Sequence, residues 1–327
     1  MILKVIYVGL GNISDVWLPY LLSRNDIEIS ALVDINDIHA KKQAQKYNIN
    51  CPIFTNIDKA IDKIPCDIVI DNAIPSQRLS IAQSALSNKL HVISEKPLAS
   101  SIQDALNINK LSEQYNKNFF VMQNRRYNTN MFSFKNAIQS KVYGNIGYLS
   151  ADFFLGPHFG GFRDLMDSPL LIDMAIHTFD QARFLLGVNP ISVYCHEYNP
   201  SWSWYKGNAN ALCIFEFEND IVFKYTGSWC VNGTNTSWDS EWKAYFEKGS
   251  ILWDGTSSLQ SDTQLETIEC NLSGHIGCIN EMINAIKNKK IATTNSFDNI
   301  YSLAMVFASI KSAKLNEKIY INDIIGG

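Results

Sequence analysis

The chain has no pattern of paired cysteines. Its seven cysteines are odd in number, scattered and free of any C-x-x-C pair, so neither a disulfide framework nor a zinc site is expected. Reduced thiols in a cytoplasm fit this usage, and no metal is called for. Long hydrophobic runs are also missing: no apolar stretch approaches the roughly 20 residues that a membrane helix requires, which excludes a membrane protein. Lys and Arg total 28 against 32 Asp and Glu and are dispersed along the chain, giving a formal charge of -4. The basic footprint demanded by a phosphate backbone is therefore absent, and nucleic acid is not an expected partner. The opening segment lacks a cleavage site with small residues and reads as a strand rather than a signal peptide. No internal repeat or low-complexity tract is visible. What remains is a globular chain of 327 residues, 46% of them hydrophobic, enough for two domains with a core each.

Lys4 to Val8 is a short apolar run that ends at Gly9, followed by Gly9-Leu10-Gly11-Asn12-Ile13-Ser14 and then a helical pattern carrying Val16, Trp17, Tyr20 and Leu21. This predicts strand, glycine turn and helix. In such a turn the first glycine makes the bend, and the second lets main-chain N–H groups approach a pyrophosphate that the helix N-terminus stabilises. Ser14 stands at the third position, and Pro19 inside the helix is expected to kink it. Ile27 to Val33 predicts a second strand ending at Asp34, where a carboxylate meets the ribose hydroxyls of NAD and repels a 2′-phosphate. The alternative is that Asp34 only caps the next helix.

Strands are expected at 67–71, 91–94 and 119–123, and helices at 77–87 and 101–115, the latter started by a capping box of Ser100 and Gln103. Such alternation implies a doubly wound parallel sheet. Glu95-Lys96-Pro97 then lies just past the C-terminal end of a strand, where ligands bind in open α/β sheets. We place the domain boundary at 123/124. Beyond it, strand-like segments dominate at 148–155, 191–198, 211–217, 221–229 and 242–248, with Glu218-Asn219-Asp220 as a tight hairpin. A helix over 171–186, closed by Gly187, carries an apolar stripe of Ile172, Ile176, Phe179 and Leu186. On another face Asp173, His177 and Asp180 set two carboxylates about one imidazole. Helices are expected again at 276–286 and 298–314.

With these residues assembled, the chain resembles the Gfo/Idh/MocA family of oxidoreductases over essentially its full length. The likeness lies in the order and spacing of the glycine turn at 9–14, Glu95-Lys96-Pro97, and Asp173-Met174-Ala175-Ile176-His177-Thr178-Phe179-Asp180. Asn124-Arg125-Arg126-Tyr127 looks like the segment after the fifth strand in inositol dehydrogenases, and 308–313 looks like the family's closing helix. The resemblance implies an N-terminal Rossmann domain, 1–123, and a C-terminal α/β domain, 124–327, with a large, open, mainly antiparallel sheet for substrate binding and oligomerisation. It implies NAD or NADP held by Gly9, Gly11, Asn12, Ile13, Asp34, Pro75, Glu95 and Lys96, and catalysis by Lys96, Asp173 and His177. It further implies a cis Lys96–Pro97 bond and a homodimer or homotetramer built through the open sheet.

The chain departs from the family pattern in places. Ser168-Pro169-Leu170 replaces a glycine-rich stretch, Arg78 stands near where a histidine is common, and Lys89 replaces a frequent glycine. Arg126, His158 and Arg163 are either substrate contacts or loop braces. The aromatics between Tyr194 and Trp242 suit sugar rings, a core or a subunit interface equally. The expected function is hydride transfer between NAD and a secondary alcohol or ketone of a sugar, cyclic polyol or sugar derivative. In that reaction His177 is the base, Lys96 stabilises the oxyanion, and Asp173 holds His177 or binds a second hydroxyl. A non-catalytic NAD-binding sensor or regulator, or a reductase for a dihydrodiol or imine, are the alternatives.

Overall fold

The computed structural model describes residues 2–326. Its elements run β1 (Leu3–Val8), α1 (Ser14–Ser23), β2 (Ile27–Val33), α2 (Asp37–Lys46), β3 (Ile53–Phe54), α3 (Ile57–Lys63), β4 (Ile68–Asp71), α4 (Arg78–Ser87), β5 (His91–Ser94), α5 (Ile102–Tyr115) and β6 (Phe119–Val121). They continue with α6 (Thr129–Gln139), β7 (Ile146–Phe154), a π-helical turn (Leu170–Ala175), α7 (Ile176–Leu186), β8 (Pro190–Tyr198), β9 (Asn210–Phe217), β10 (Ile221–Ser228), β11 (Glu241–Phe246), β12 (Gly249–Trp253) and β13 (Gln260–Ser261). α8 (Gly274–Lys287), α9 (Ser296–Leu315), β14 (Ile319–Tyr320) and α10 (Ile321–Ile325) follow. No helix among the described residues is long and apolar enough to cross a membrane.

The chain condenses into two compact units. The first takes in the residues up to Asn124 together with Leu272–Ile300; the second comprises Arg125–Asn271 and the chain from Tyr301 onward. Residues 272–300, assigned above to the second domain, thus lie in the first unit. There Lys287 pairs with Asp26 at 2.7 Å, Arg24 donates to Asn280 at 2.8 Å, and Asn295 bridges Phe120. A helical pattern reports an apolar face but not which sheet or helix that face meets.

The first unit is a parallel sheet of order β3-β2-β1-β4-β5-β6. β1 and β4 are buried almost throughout, as strands covered on both faces must be. The order reverses between β1 and β4, which marks the crevice at their C-terminal ends as the ligand position. The two-residue strand β3 extends the sheet beyond what periodicity predicts. The helix at 102–115 is capped one residue later than expected: Ser101 accepts from the Asp104 amide at 3.1 Å, while Ser100 Oγ donates to the Pro75 carbonyl at 3.1 Å. α1 runs through Pro19 and continues to Ser23.

The second unit is a sheet of order β13-β12-β11-β7-β10-β9-β8-β14. β7 and β10 pair in parallel, and the remaining described pairs are antiparallel. The hairpin at 218–220 joins β9 to β10, with Asn219 and Asp220 at φ 64° and 58°. On one face Phe179 of α7 packs edge-on against Phe215 at 4.9 Å and Tyr225 at 5.2 Å. Tyr194, Leu212, Ile214 and Tyr245, which alternate out of the sheet, stay exposed.

The helix expected over 171–186 begins instead as the π turn and becomes α-helical at Ile176, ending on Gly187 at φ 68°. It carries no apolar stripe with a wet side, because every residue of α7 is buried. A helix buried all round must partner its polar side chains internally. Thr178 meets Ser240 at 3.2 Å, Gln181 donates to the Arg125 carbonyl at 3.3 Å, and Asp180 receives Arg126.

Candidate functional site

The turn after β1 is built around two glycines with opposite constraints. Gly9 sits at φ 87°, and a Cβ there would lie 2.5 Å from the Asn72 carbonyl carbon, so close packing against the end of β4 demands glycine. A Cβ on Gly11 would meet nothing within 4 Å. Among the described residues no group accepts from the amides of Gly11, Asn12 or Ile13, which precede the first turn of α1. Three main-chain donors beside open space at a helix N-terminus form a cradle for an anion such as a pyrophosphate.

Asp34 lies at the edge of this cradle. Its carboxylate is buried and accepts from the Leu10 amide at 2.7 Å and the Asn36 amide at 2.8 Å. Capping of α2 belongs to Asn36, whose Oδ1 accepts from Ile38, so Asp34 is not the cap. Each of its oxygens keeps a lone pair for a vicinal diol. The residues present therefore fit a dinucleotide with a free ribose.

Glu95, expected among the cofactor contacts, is placed inward. Oε1 accepts from the Trp17 indole at 2.7 Å and Oε2 from the Lys96 amide at 3.1 Å, so one carboxylate ties α1 to the start of the Lys96 turn. Lys96 is half-buried, two residues past the end of β5, and the Lys96–Pro97 bond is cis as the resemblance implied. Pro75 opens a 3-10 turn after β4.

Sequence reasoning missed Arg78. Its guanidinium is buried, pairs with Asp71 at 3.0 Å, and donates to the main-chain oxygens of Asp71 at 3.1 Å and Pro97 at 3.3 Å. It thus fastens the end of β4 to the residue after Lys96. The signal was present as an arginine near where a histidine is common.

In the second unit the carboxylates near His177 take separate partners. Asp173, in the π turn, pairs with Arg163 at 2.7 Å, whose guanidinium also lies 5.6 Å from the Phe159 ring and 4.8 Å from Phe162. Asp180 accepts Arg126 through two bonds of 2.6 Å and Ser302 at 2.9 Å, and Ser302 accepts from Arg183 at 3.0 Å. This puts Arg126 in the interior, where it braces α7 through Asp180. His177 is buried one helical turn past Asp173. His158 is exposed and stacks on Trp204 at 3.6 Å.

Arg125, which the sequence did not single out, is a second arginine that feels the charge of Asp173. Its guanidinium donates to the Trp238 carbonyl and lies 5.7 Å from the Phe153 ring. Burial pulls it down to about 10, against the charges of Asp239 and Asp173. Behind the π turn, Ser168 donates to Glu197 at 3.2 Å, and burial pushes that carboxyl up to about 7.

Glu197 gives a pH prediction. Its folded pKa exceeds the ordinary value near 4.3, so its stabilising contribution is complete below that value and is lost as pH rises through about 7. Glu197→Gln is expected to stabilise the protein at pH 8 by about 1 kcal/mol, after allowance for solvent screening, and to be neutral at pH 4. Thermal melts at the two pH values check it, and equal shifts at both would refute it.

Residues 3–123 match the family described as "Oxidoreductase family, NAD-binding Rossmann fold", and residues 133–252 match "GFO/IDH/MocA C-terminal domain". An uncharacterized protein of Sinorhizobium fredii is 24% identical over 99% of this chain and 97% of its own length. The D-glucoside 3-dehydrogenase of Escherichia coli is 22% identical over 97% of each chain. Among solved structures, an oxidoreductase from Agrobacterium radiobacter in complex with NAD+, L-tartaric acid and magnesium superposes with a TM-score of 0.90 at 17% identity, covering 99% of both chains. That likeness shows the fold.

Proposed function

The chain belongs to the Gfo/Idh/MocA family of NAD-binding oxidoreductases, and within it we propose a dehydrogenase or reductase that moves a hydride between NAD and a secondary alcohol or ketone of a sugar, cyclic polyol or sugar derivative. The observation that carries this reading is the cradle at 9–13, whose three amides have no acceptor among the described residues, with the Asp34 carboxylate at its edge. The D-glucoside 3-dehydrogenase likeness supports the substrate class. NAD, when bound, supplies the hydride acceptor or donor.

The chain's own residues supply the rest. The amides of Gly11, Asn12 and Ile13 hold the pyrophosphate, and Asp34 takes the adenosine ribose hydroxyls. His177 removes the hydroxyl proton during oxidation and returns it in reduction, as a general base and acid. The Lys96 ammonium stabilises charge on the substrate oxygen. Asp173, paired with Arg163 at 2.7 Å, accepts a neighbouring hydroxyl and fixes the ring.

Asp34 also sets cofactor choice. A 2′-phosphate beside this buried carboxylate meets like charge in poor solvent. Fluorescence titration is expected to give NADH at least about tenfold tighter binding than NADPH, equivalent to about 1.4 kcal/mol. Equal or tighter binding of NADPH would contradict the assignment.

A further inference from the structure

The topology of the second unit gathers three loops at one end of its sheet. β7, β8 and β10 run in the same direction, because β8 and β10 are each antiparallel to β9 and β7 is parallel to β10. The segments that follow them, 155–165, 199–209 and 229–240, therefore emerge together.

They carry a continuous aromatic cluster. Phe159 lies 6.0 Å from Trp229 and 6.3 Å from Trp238, which are 5.7 Å from each other. Neighbouring His158 stacks on Trp204, and Trp204 lies 5.3 Å from Tyr205. Arg163 joins the cluster to Asp173.

The cluster has two layers of different chemistry. Inside, the Trp229 indole N–H is buried with no hydrogen-bond partner among the described residues, and the Trp204 indole has only the Tyr205 hydroxyl to donate to, which leaves the phenol O–H itself unused. Burial holds the Tyr205 phenol up at about 12, so it remains a donor. Buried indole and phenol donors ordinarily find acceptors. The Trp229 N–H and the Tyr205 O–H, left over among rings, ask for a ligand with both C–H faces and hydroxyls. Outside, Phe159, Phe162, Trp202 and Trp238 are 58%, 60%, 64% and 47% exposed. A free polyol is too small and too polar to use that rim, and apolar surface of this kind marks a binding site for something apolar.

Building on the proposed substrate role of this unit, we infer that the substrate is a glycoside with an aromatic or otherwise apolar aglycone. Its sugar ring engages the inner donors and Asp173, and its aglycone lies on Phe159, Phe162, Trp202 and Trp238. Engagement of the inner donors displaces the 158–163 segment above them, where Gly160 and Gly161, at φ 69° and 72°, allow the backbone to turn. The unpaired donors argue against a second copy of this chain as the occupant, since an apolar protein face would leave them unsatisfied.

The test compares phenyl and methyl glycosides of glucose, galactose and xylose with the free sugars. Affinity is read from tryptophan fluorescence and, separately, kcat/KM from the absorbance of reduced nicotinamide. The phenyl form of at least one sugar is expected to bind and turn over roughly 10- to 100-fold better than its methyl counterpart. Trp202→Ser and Trp202→Ala, at an exposed position outside the catalytic set, are expected to erase that difference while leaving the methyl glycoside unchanged.

Equal affinities for the phenyl and methyl forms overturn the inference, as does loss of both in the variants. So does concentration-dependent self-association that Trp202→Ser abolishes. Preferential binding of phenyl glycosides without turnover supports the inference while the hydride-transfer reading fails, which separates the two.

Discussion

Replacing Lys96 with alanine is expected to lower turnover by about 10³-fold while leaving NADH binding nearly intact. The residue lies two positions past β5, at the C-terminal edge of a sheet whose strand order reverses one strand away, between β1 and β4. Its amide is held by Glu95 at 3.1 Å, and the carbonyl of the next residue is held by Arg78 at 3.3 Å. Neighbours thus fix the backbone on both sides of a half-buried side chain, as expected where a side chain acts at one point. Lys96→Arg is expected to restore little, because a planar fork cannot replace a compact ammonium. Steady-state kinetics beside NADH titration make the check: full turnover in Lys96→Ala, or matching losses in binding and turnover, would remove the catalytic role.

The second large effect falls on stability. Asp180→Ala is expected to cost about 3–5 kcal/mol, since removing one partner of a buried ion pair leaves the other charge uncompensated. Here that charge is Arg126, held by two bonds of 2.6 Å at 4% side-chain exposure, and Ser302 loses its acceptor as well. The melting temperature should fall by roughly 10 °C, at about 2–4 °C per kcal/mol for a unit of this size. Replacing both members together, as Arg126→Met with Asp180→Leu, should recover most of the loss, because apolar groups of similar volume replace a buried pair at little cost. A single variant that melts like the parent, or a double variant no better than the single, would show that the pair does not brace α7.

The two pairs explain why residue type alone misassigns roles here. Arg126 and Arg163 read alike in sequence, yet one is buried on Asp180 and the other is about one-third exposed on Asp173. The Asn124–Arg126 turn separates Arg125 from Arg126, and one-dimensional spacing does not report which way each arginine points. The cradle, by contrast, was legible, because an apolar strand, two glycines and a helix leave little freedom in how the chain turns. Most of the larger strands were legible through their alternation or continuous apolarity, but β12, of five residues, was not expected from the sequence. β3, β13 and β14, of two residues each, were not, since they present no period to read.

The spacing of Asp173 and His177 pointed to one helical face, and the structure adds that Asp173 belongs to a π turn. Such turns are frequent at functional sites and interrupt the i to i+4 ladder without an obvious sequence mark. Ser101 rather than Ser100 as the cap, and residues 272–300 in the first unit, reflect tertiary packing that local pattern does not encode.

The central claim is hydride transfer by this chain with NAD. Its most direct test supplies purified protein with NAD+ and a panel of aldoses, cyclic polyols and glycosides, and with NADH and their oxidised forms, while following the absorbance of reduced nicotinamide. The account predicts turnover with at least one member, largely abolished in both Lys96→Ala and His177→Ala. Saturable NADH binding without turnover across the panel, or equal turnover in the two variants, would contradict it.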